Sequence, residues 1–229
     1  KPTPAEIAYW GGYFFYHNRL HRNYQDDISL HYYLLASKDG ITIGKRYFKH
    51  ENNKEDYPFS PSGHNLYDNN SKLYYCRDFD NIVYQIHEDS VVPRFRINLP
   101  NPLPASMIEE RPNEMSLLRS GYSLGITDIY EYGGLLFFRF VKDGYIWSCL
   151  YNVEESKQVY CAKRIKFLDS SLIDTIDGIY KDCFYSILTP EYLDYAFSEN
   201  PLEDYPDLFK TYDVEGDNPV IAFYRAVVR

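Results

Sequence analysis

Two aspartates three positions apart are candidates for chemistry in this sequence. Asp174 and Asp177 stand shortly before Gly178 in the stretch DTIDG. A pair of carboxylates can supply a general acid and a general base, as in enzymes that cleave glycosidic bonds. Aspartate before glycine is also typical of a turn, and such turns are far commoner than catalytic pairs. We therefore keep Asp174 and Asp177 as candidate ligand-binding residues and assign no catalytic residue.

The pentapeptide GYSLG at residues 121–125 matches the G-x-S-x-G motif of serine hydrolases. In that motif the serine lies between a strand and a helix, and a catalytic histidine follows later in the chain. All six histidines precede Ser123, and the residues after the motif, ITDIY, are typical of a strand. The sequence therefore predicts the glycine-flanked start of a strand here, and no hydrolase site.

Two further patterns resemble metal sites without meeting their requirements. His17 and His21 have the spacing of ligands on a helix, but Asn18 stands where the H-E-x-x-H motif has glutamate, and the preceding residues are strand-like. The acidic segment 213–217 lacks the glycine and the glutamate that an EF-hand loop needs. We expect solvated loop histidines, a turn before the last strand, and neither a metal nor a cofactor.

Aromatic side chains are unusually frequent, since 25 Tyr, 14 Phe and 2 Trp make up 18% of the 229 residues. Such residues favour half-buried sheet surfaces, and we expect most of them to fill a core. Tyr and Trp can also stack on sugars or peptides, because each combines a flat apolar face with a polar edge. We add Trp10, Tyr122 and Tyr130 to the candidate ligand-binding residues.

Charge and hydropathy exclude two classes of partner. The net charge of −9 argues against a nucleic acid, which needs a basic face on the protein. No apolar run approaches the roughly 18 residues of a membrane-spanning helix, so no transmembrane segment is predicted. With 45% hydrophobic and 25% charged residues, the composition is otherwise that of a globular protein.

The sequence contains four cysteines without zinc-binding spacing: Cys76, Cys149, Cys161 and Cys183. Cys149 and Cys161 flank a predicted hairpin turn. If Asn152 pairs with Lys157 in a regular register, Cys149 faces Tyr160, and the two sulfur atoms point to opposite sides of the sheet. A slip of one residue would reverse that conclusion. We expect buried, unreactive thiols that leave the redox compartment undecided.

Short runs rich in aromatic and β-branched residues predict strands along most of the chain. They cover residues 13–16, 30–36, 73–76, 82–86, 135–141, 145–151 and 220–228. Polar clusters such as SKDG, HEDS and KDG separate these runs and predict turns. Helices, each starting at a proline, are predicted only at 190–197 and 201–212. The pattern is that of antiparallel meanders with two short helices near the C-terminus.

Three of these strands begin similar units at residues 13, 73 and 135, which are 60 and 62 positions apart. Each unit continues with a second aromatic strand, a tight polar turn and a third strand, at 41–48, 92–99 and 158–167. A recurring unit of this kind indicates the blades of a β-propeller. The 229 residues hold a little under four such units, enough for a small closed ring or for part of a larger one.

The segment CRDFDNIVYQIHEDSVVPRFRINL at residues 76–99 resembles a blade of the six-bladed β-propeller proteins that are common in Bacteroidetes. Its residues FDNIVYQI fit the family pattern F-x-[DN]-x-[IV]-Y-x-I. The stretch DTIDG resembles the family segment N-D-I-D-G-G, with Ile179 where a second glycine is usual. The stretch DNPVI resembles the closing strand D-N-P-[VI]-L. The resemblance extends from Gly12 to the end of the chain.

The resemblance implies an all-β fold of antiparallel meander blades, about four units from the later part of a six-bladed ring. Residues 1–229 are then a single propeller domain or the C-terminal portion of one. The resemblance further implies an exported protein, periplasmic or anchored in the outer membrane as a lipoprotein. Because the chain begins at Lys1, we expect that missing N-terminal blades or an oligomer cover the open blade faces.

Two functions remain open at this point. The leading hypothesis is a non-catalytic binding or scaffold propeller of the bacterial cell envelope, with a glycan or a peptide as its ligand. The alternative is a propeller enzyme, a hydrolase or a lyase, that acts on glycans. For the alternative, Asp174 and Asp177 are the first residues to test.

Overall fold

A computed structural model gives the structure of most of the chain. It describes residues 6–18, 31–50, 60–61, 63–110, 112–163, 165–167, 170–173, 176–199, 212–213, 216 and 218–225. The chain divides into two compact units. The first unit holds residues 1–129 and 139–146, and the second holds residues 130–138 and 147–229.

The first sheet has four antiparallel strands in chain order: β1 (Glu6–Trp10), β2 (Tyr13–His17), β3 (Tyr32–Ser37) and β4 (Lys45–Lys49). A turn of two residues, Gly11 and Gly12, joins β1 to β2, and both have the positive φ that such hairpins require. The strand predicted from residue 41 begins at Lys45 instead. The carboxylate of Asp39 accepts the backbone N–H groups of Ile41 and Thr42, which keeps these residues in a turn.

The second sheet is also a four-stranded meander, made of β5 (Leu66–Asp68), β6 (Leu73–Cys76), β7 (Ile82–Ile86) and β8 (Val91–Arg96). All four residues of β6 are buried, so both faces of this strand are covered. Phe15 and Leu34 of the first sheet pack against Tyr75 and Tyr84 of the second in one apolar core.

The third sheet contains β9 (Ser123–Tyr132), β10 (Leu135–Lys142), β11 (Tyr145–Asn152) and β12 (Lys157–Ala162). Two short helices precede it: α1 (Ala105–Glu109) and α2 (Glu114–Leu118). The prediction that helices occur only near the C-terminus was therefore wrong. Each helix has only five residues, too few to show a helical period in the sequence. Asn113 caps α2 by accepting the N–H of Ser116.

The chain ends with two smaller sheets and a longer helix. Two strands, β13 (Ile165–Phe167) and β14 (Ser170–Ile173), form one sheet. Three strands form the last sheet: β15 (Gly178–Tyr180), β16 (Cys183–Leu188) and β17 (Val220–Tyr224). Between β16 and β17, helix α3 (Pro190–Glu199) buries Leu193 and Ala196 against Leu188.

The predicted all-β class with antiparallel meanders is confirmed, and strands 73–76 and 82–86 have the predicted bounds. The final strand lies in a sheet as predicted, since β17 pairs with β16. Helix 190–197 is observed as α3, whereas helix 201–212 falls almost wholly outside the described residues. The prediction missed β1 and β5, which open two of the four-stranded sheets, whereas the strand start predicted at Ser123 and the strand-like ITDIY lie in β9.

Candidate functional site

The predicted ligand-binding residues lie in different surroundings. Trp10 ends β1 and packs, half-buried, against the core of the first unit. Tyr122 is half-buried beside Leu117 and Leu124. Asp174 lies outside the described residues. Among the four candidates that the structure describes, a hydrogen bond joins Tyr130 to Asp177.

Tyr130 and Asp177 meet in the second unit. The buried Tyr130 hydroxyl donates a hydrogen bond to the backbone carbonyl of Asp177 over 2.9 Å. The Asp177 carboxylate accepts the backbone N–H of Ile187 over 2.7 Å. A carboxylate bound to a backbone donor and a tyrosine bound to a backbone carbonyl hold the start of β15 in place. These contacts serve the last sheet rather than a ligand.

The G-x-S-x-G segment also makes structural contacts with the backbone of neighbouring segments. Ser123 is the first residue of β9 and is buried. Its hydroxyl group donates a hydrogen bond to the backbone carbonyl of Pro100. A Cβ atom at Gly125 would lie 2.7 Å from the backbone of Phe79, so close packing requires glycine there. A serine on a strand, with its hydroxyl already bound, is not presented as a nucleophile.

A cleft of about 280 Å³ in the second unit is a candidate binding site. Its walls include two tyrosines, a phenylalanine, a leucine and one pair of opposite charges: Tyr132, Leu135, Asp182, Phe184, Tyr224 and Arg225. The rings of Tyr132 and Phe184 meet edge to face, with centroids 6.4 Å apart. The cleft thus has an aromatic side.

The cleft is also lined by polar groups, namely those of Asp182, Tyr224 and Arg225. Arg225 binds Asp182 with 2.5 Å between Nη2 and Oδ2, and both side chains are more than half exposed. Burial raises the pKa of Tyr224 to about 12, so its hydroxyl stays protonated. Aromatic surface beside a few polar groups is the usual construction of a small-ligand site, although the volume is at the low end for such sites.

Sequence reasoning did not find this cleft. Its residues come from the β9–β10 turn, the β15–β16 turn and the end of β17, which are up to 93 positions apart between Tyr132 and Arg225. None belongs to a known motif. Among the described lining residues, Asp182 is the sole carboxylate, so the cleft does not contain the acid and base pair expected of a glycosidase.

The expectation that Cys149 and Cys161 cannot bond was wrong, because the structure joins them in a disulfide. Asn152 pairs with Lys157 as assumed, but the register shifts between Tyr151 and Leu150. The shift leaves Val159 as an extra residue in β12, and Cys149 then lies directly opposite Cys161. The bulge supplies the slip of one residue that brings both sulfur atoms to one side. Cys76 and Cys183 are free.

The expectation of a solvated histidine was also wrong for His17, and His21 lies outside the described residues. His17 is buried, with Nδ1 3.2 Å from the hydroxyl of Tyr75. His50 is buried against the ring of Tyr33, with centroids 3.5 Å apart. Burial lowers the pKa of His50 to about 4, helped by charge repulsion from His17, His31 and Arg77. Over the described residues, no cluster of three or more side chains is arranged to hold a metal ion.

Helices long and apolar enough to span a bilayer are absent from the described part of the chain. The longest described helix, α3, has ten residues and includes charged side chains.

Comparison with known proteins identifies relatives of the fold. The family described as 6-bladed beta-propeller matches residues 8–171. Among solved structures, the chain is similar to a candidate exported protein from Bacteroides fragilis, with 16% identity over 97% of this chain and a TM-score of 0.76. The chain spans 65% of the length of that protein. At this identity the likeness shows the fold alone. The comparison with curated proteins found no match.

Proposed function

The chain belongs to the 6-bladed beta-propeller family, and on that premise we propose that it is an exported, non-catalytic propeller that binds a ligand or acts as a scaffold in the bacterial cell envelope. The compartment that we propose is the periplasm or the outer membrane, with a lipid anchor in the second case. The ligand that we propose is a glycan or a peptide.

Export is supported by the Cys149–Cys161 disulfide, which is the observation that carries the proposal. Disulfides persist in oxidising compartments such as the periplasm, and the bacterial cytosol keeps thiols reduced. The bulge at Val159 places Cys149 directly opposite Cys161, so the register of the hairpin itself brings the two cysteines together. The structurally similar protein from Bacteroides fragilis, named as a candidate for export, agrees with this compartment.

Binding is supported by the cleft of the second unit. Tyr132 offers an exposed ring on which a sugar or an aromatic peptide side chain can stack. The exposed pair of Asp182 and Arg225 offers an acceptor and a donor of hydrogen bonds to a polar ligand. A glycan or a short peptide combines the apolar and polar groups that such a surface recognises.

The test is a screen of glycan and peptide arrays with the 229-residue chain, followed by calorimetry on each hit. We expect Tyr132→Ala and Arg225→Gln to weaken binding about tenfold each, the usual effect of truncating a central contact. Tyr9→Ala is the control, because Tyr9 is an exposed ring of the first unit, with 65% of its surface accessible against 37% for Tyr132. Equal losses in the control and the cleft variants, or arrays without any hit, would contradict a ligand site in the cleft.

The alternative of a glycan-cleaving enzyme has a separate test. In Asp177→Asn the side chain keeps an oxygen that can accept the N–H of Ile187, so the variant is expected to fold. Product release from a bound glycan that disappears in this variant would establish catalysis and overturn the non-catalytic proposal. Binding without turnover in both proteins supports the proposal as stated.

A further inference from the structure

The hairpin of β11 and β12 contains a bulge that the sequence of β12 does not explain. Tyr151 pairs with Gln158 and Leu150 with Tyr160, so the register skips Val159. Glycine and proline often mark a bulge, and the strand KQVYCA contains neither. Val159 is instead a β-branched residue of the kind that favours a regular strand, and 41% of its surface is exposed in the bulge.

A second bulged strand provides a comparison. In β8 the register skips Arg94, which follows Pro93. Both β8 and β12 are edge strands of four-stranded sheets. Proline has no N–H group to donate to the ladder, so the sequence of β8 itself accounts for an irregular register. In β12 the feature beside the bulge is the disulfide between Cys149 and Cys161, two positions after Val159.

Without the bulge, β11 and β12 can pair in a regular ladder. Every pair then keeps the register of the hairpin end, where Asn152 lies opposite Lys157. Val159 faces Leu150 in that ladder and gains an apolar partner on the neighbouring strand. The residues after Val159 move one position along β11, and their side chains turn to the opposite side of the sheet.

Ser148 favours the regular register. Its side chain is 1% exposed, and its hydroxyl has no hydrogen-bond partner in the described part of the chain. A buried polar atom in that state is unfavourable for folding. In the regular register Cys161 lies opposite Ser148, so the thiol and the hydroxyl can form a hydrogen bond. The disulfide prevents this pair, because it holds Cys161 opposite Cys149.

We propose that the disulfide locks the bulged register of β12 and that the hairpin is a redox-sensitive switch between two registers. The reductant is a dithiol. One of its thiolates attacks a sulfur atom of the bridge, and its second thiolate then displaces the protein sulfur from the mixed disulfide. Cys149 and Cys161 each take up a proton that the reductant loses, and the reductant becomes a disulfide. β12 then shifts to the regular register.

The position of β12 permits the shift. It is an edge strand, and among the described strands it pairs with β11 alone. The shift moves the exposed Lys163 away from Trp147, whose ring centroid lies 5.8 Å from the lysine Nζ atom, and such contacts are weak at exposed sites. Tyr160, Cys161 and Ala162 change sides, so this edge of the sheet presents different side chains in the two redox states.

A pair of variants tests whether the regular register is accessible. Tyr160→Cys with Cys161→Ser places a thiol opposite Cys149 in the regular register and not in the bulged one. Val159→Cys with Cys161→Ser is the matched control, because position 159 faces Leu150 in the regular register. We expect the first variant to form its cross-link at least about tenfold faster under mild oxidation, measured by peptide mapping. Equal rates would contradict a second register.

Amide hydrogen exchange tests the switch at single residues. Along an edge strand every second N–H points to the neighbouring strand and is protected, and the others point to solvent. A shift of one residue therefore exchanges the protected and the open positions among Tyr160, Cys161 and Ala162. The 229-residue chain is measured by NMR in its oxidised form and after reduction with dithiothreitol. β8 is the matched control, because it is a bulged edge strand without a cysteine.

On reduction we expect the exchange rate to change about tenfold or more at each of the three positions, with no change in β8. Cys149→Ser with Cys161→Ser should show the pattern of the reduced chain without any reductant. The same protected residues before and after reduction would show that the strands themselves hold the bulge. Loss of protection at all three residues would show that β12 detaches from β11. Either result would overturn the proposal.

Discussion

In the first unit, aromatic rings from β2 and β6 lie between two sheets, and Phe15 and Tyr75 are at most 1% exposed. In the last sheet, Tyr180 and Phe223 are each 53% exposed. Both regions are antiparallel meanders with similar side chains. The difference is that a second sheet covers the relevant face in the first region and no described sheet does so in the last. A strand sequence therefore sets which residues can be buried, and the neighbouring sheet decides whether they are.

The largest expected effect contrasts one phenylalanine from each region. Phe15→Ala in the 229-residue chain should lower the free energy of unfolding by about 3–5 kcal/mol, because it leaves a cavity between two sheets. Phe223→Ala should lower it by under about 1 kcal/mol, because half of the ring is already in water. Urea titration of both variants measures the difference. Similar losses would mean that Phe223 is buried as fully as Phe15.

The second unit also differs from the first in its disulfide. Replacing Cys149 and Cys161 together by serine should cost about 2–3 kcal/mol, because the unfolded chain loses a cross-link that closes a short loop. Unfolding of the wild type with a reducing agent should then match the double variant without it. Cys183→Ser is the control and should change little. An unchanged midpoint in the double variant would exclude a structural disulfide.

Acid sensitivity should belong to the first unit, since all six histidines precede residue 123. The pKa of His50 falls from 6.5 to about 4 on folding, so the unfolded chain binds a proton that the folded chain excludes. The stabilising effect of the neutral ring is full above pH 6.5 and is lost as the pH falls towards 4, by at most about 1.4 kcal/mol per pH unit.

His50→Phe keeps a ring against Tyr33 and removes the titrating group. We expect stability that depends less on pH between 6.5 and 4, measured by urea unfolding at a series of pH values. His64→Gln is the matched control, because the His64 side chain is 69% exposed. The same pH profile for wild type and His50→Phe would show that His50 does not carry this dependence.

The smallest effect is expected for a charge at Ile221, an exposed position of β17. Ile221→Lys in the 229-residue chain should change stability by within about 0.5 kcal/mol, as is usual for exposed positions. Ile41→Lys, in an exposed turn of the first sheet, should be equally neutral. A loss of more than about 1 kcal/mol at Ile221 alone, measured by urea unfolding, would show that this face is covered.

The sequence predicted the antiparallel meanders because aromatic runs and polar turns alternate along the chain. It missed β5 because a strand of three residues, LYD, is too short to show a period. It misplaced Cys149 relative to Cys161 because a bulge at Val159 is a property of the paired strands and leaves no trace in either strand alone.

The candidate site was less predictable than the fold. Asp177 and Tyr130 were singled out by residue type, and both bind backbone groups of the last sheet. The cleft beside Arg225 combines residues from two turns and a strand end, which only the folded chain brings together. Local patterns predict strands and turns well, whereas this cleft depends on contacts between distant segments.

The redox state of the hairpin cysteines tests the proposed exported propeller most directly. Cells that make the protein are quenched with acid, unfolded and alkylated without reductant, and the peptides are mapped by mass spectrometry. We expect the peptides of Cys149 and Cys161 to be joined in nearly all molecules from the periplasmic or envelope fraction, with Cys76 and Cys183 recovered as alkylated thiols. Recovery of Cys149 and Cys161 as separate alkylated thiols, in protein from the cytoplasmic fraction, would contradict an exported propeller.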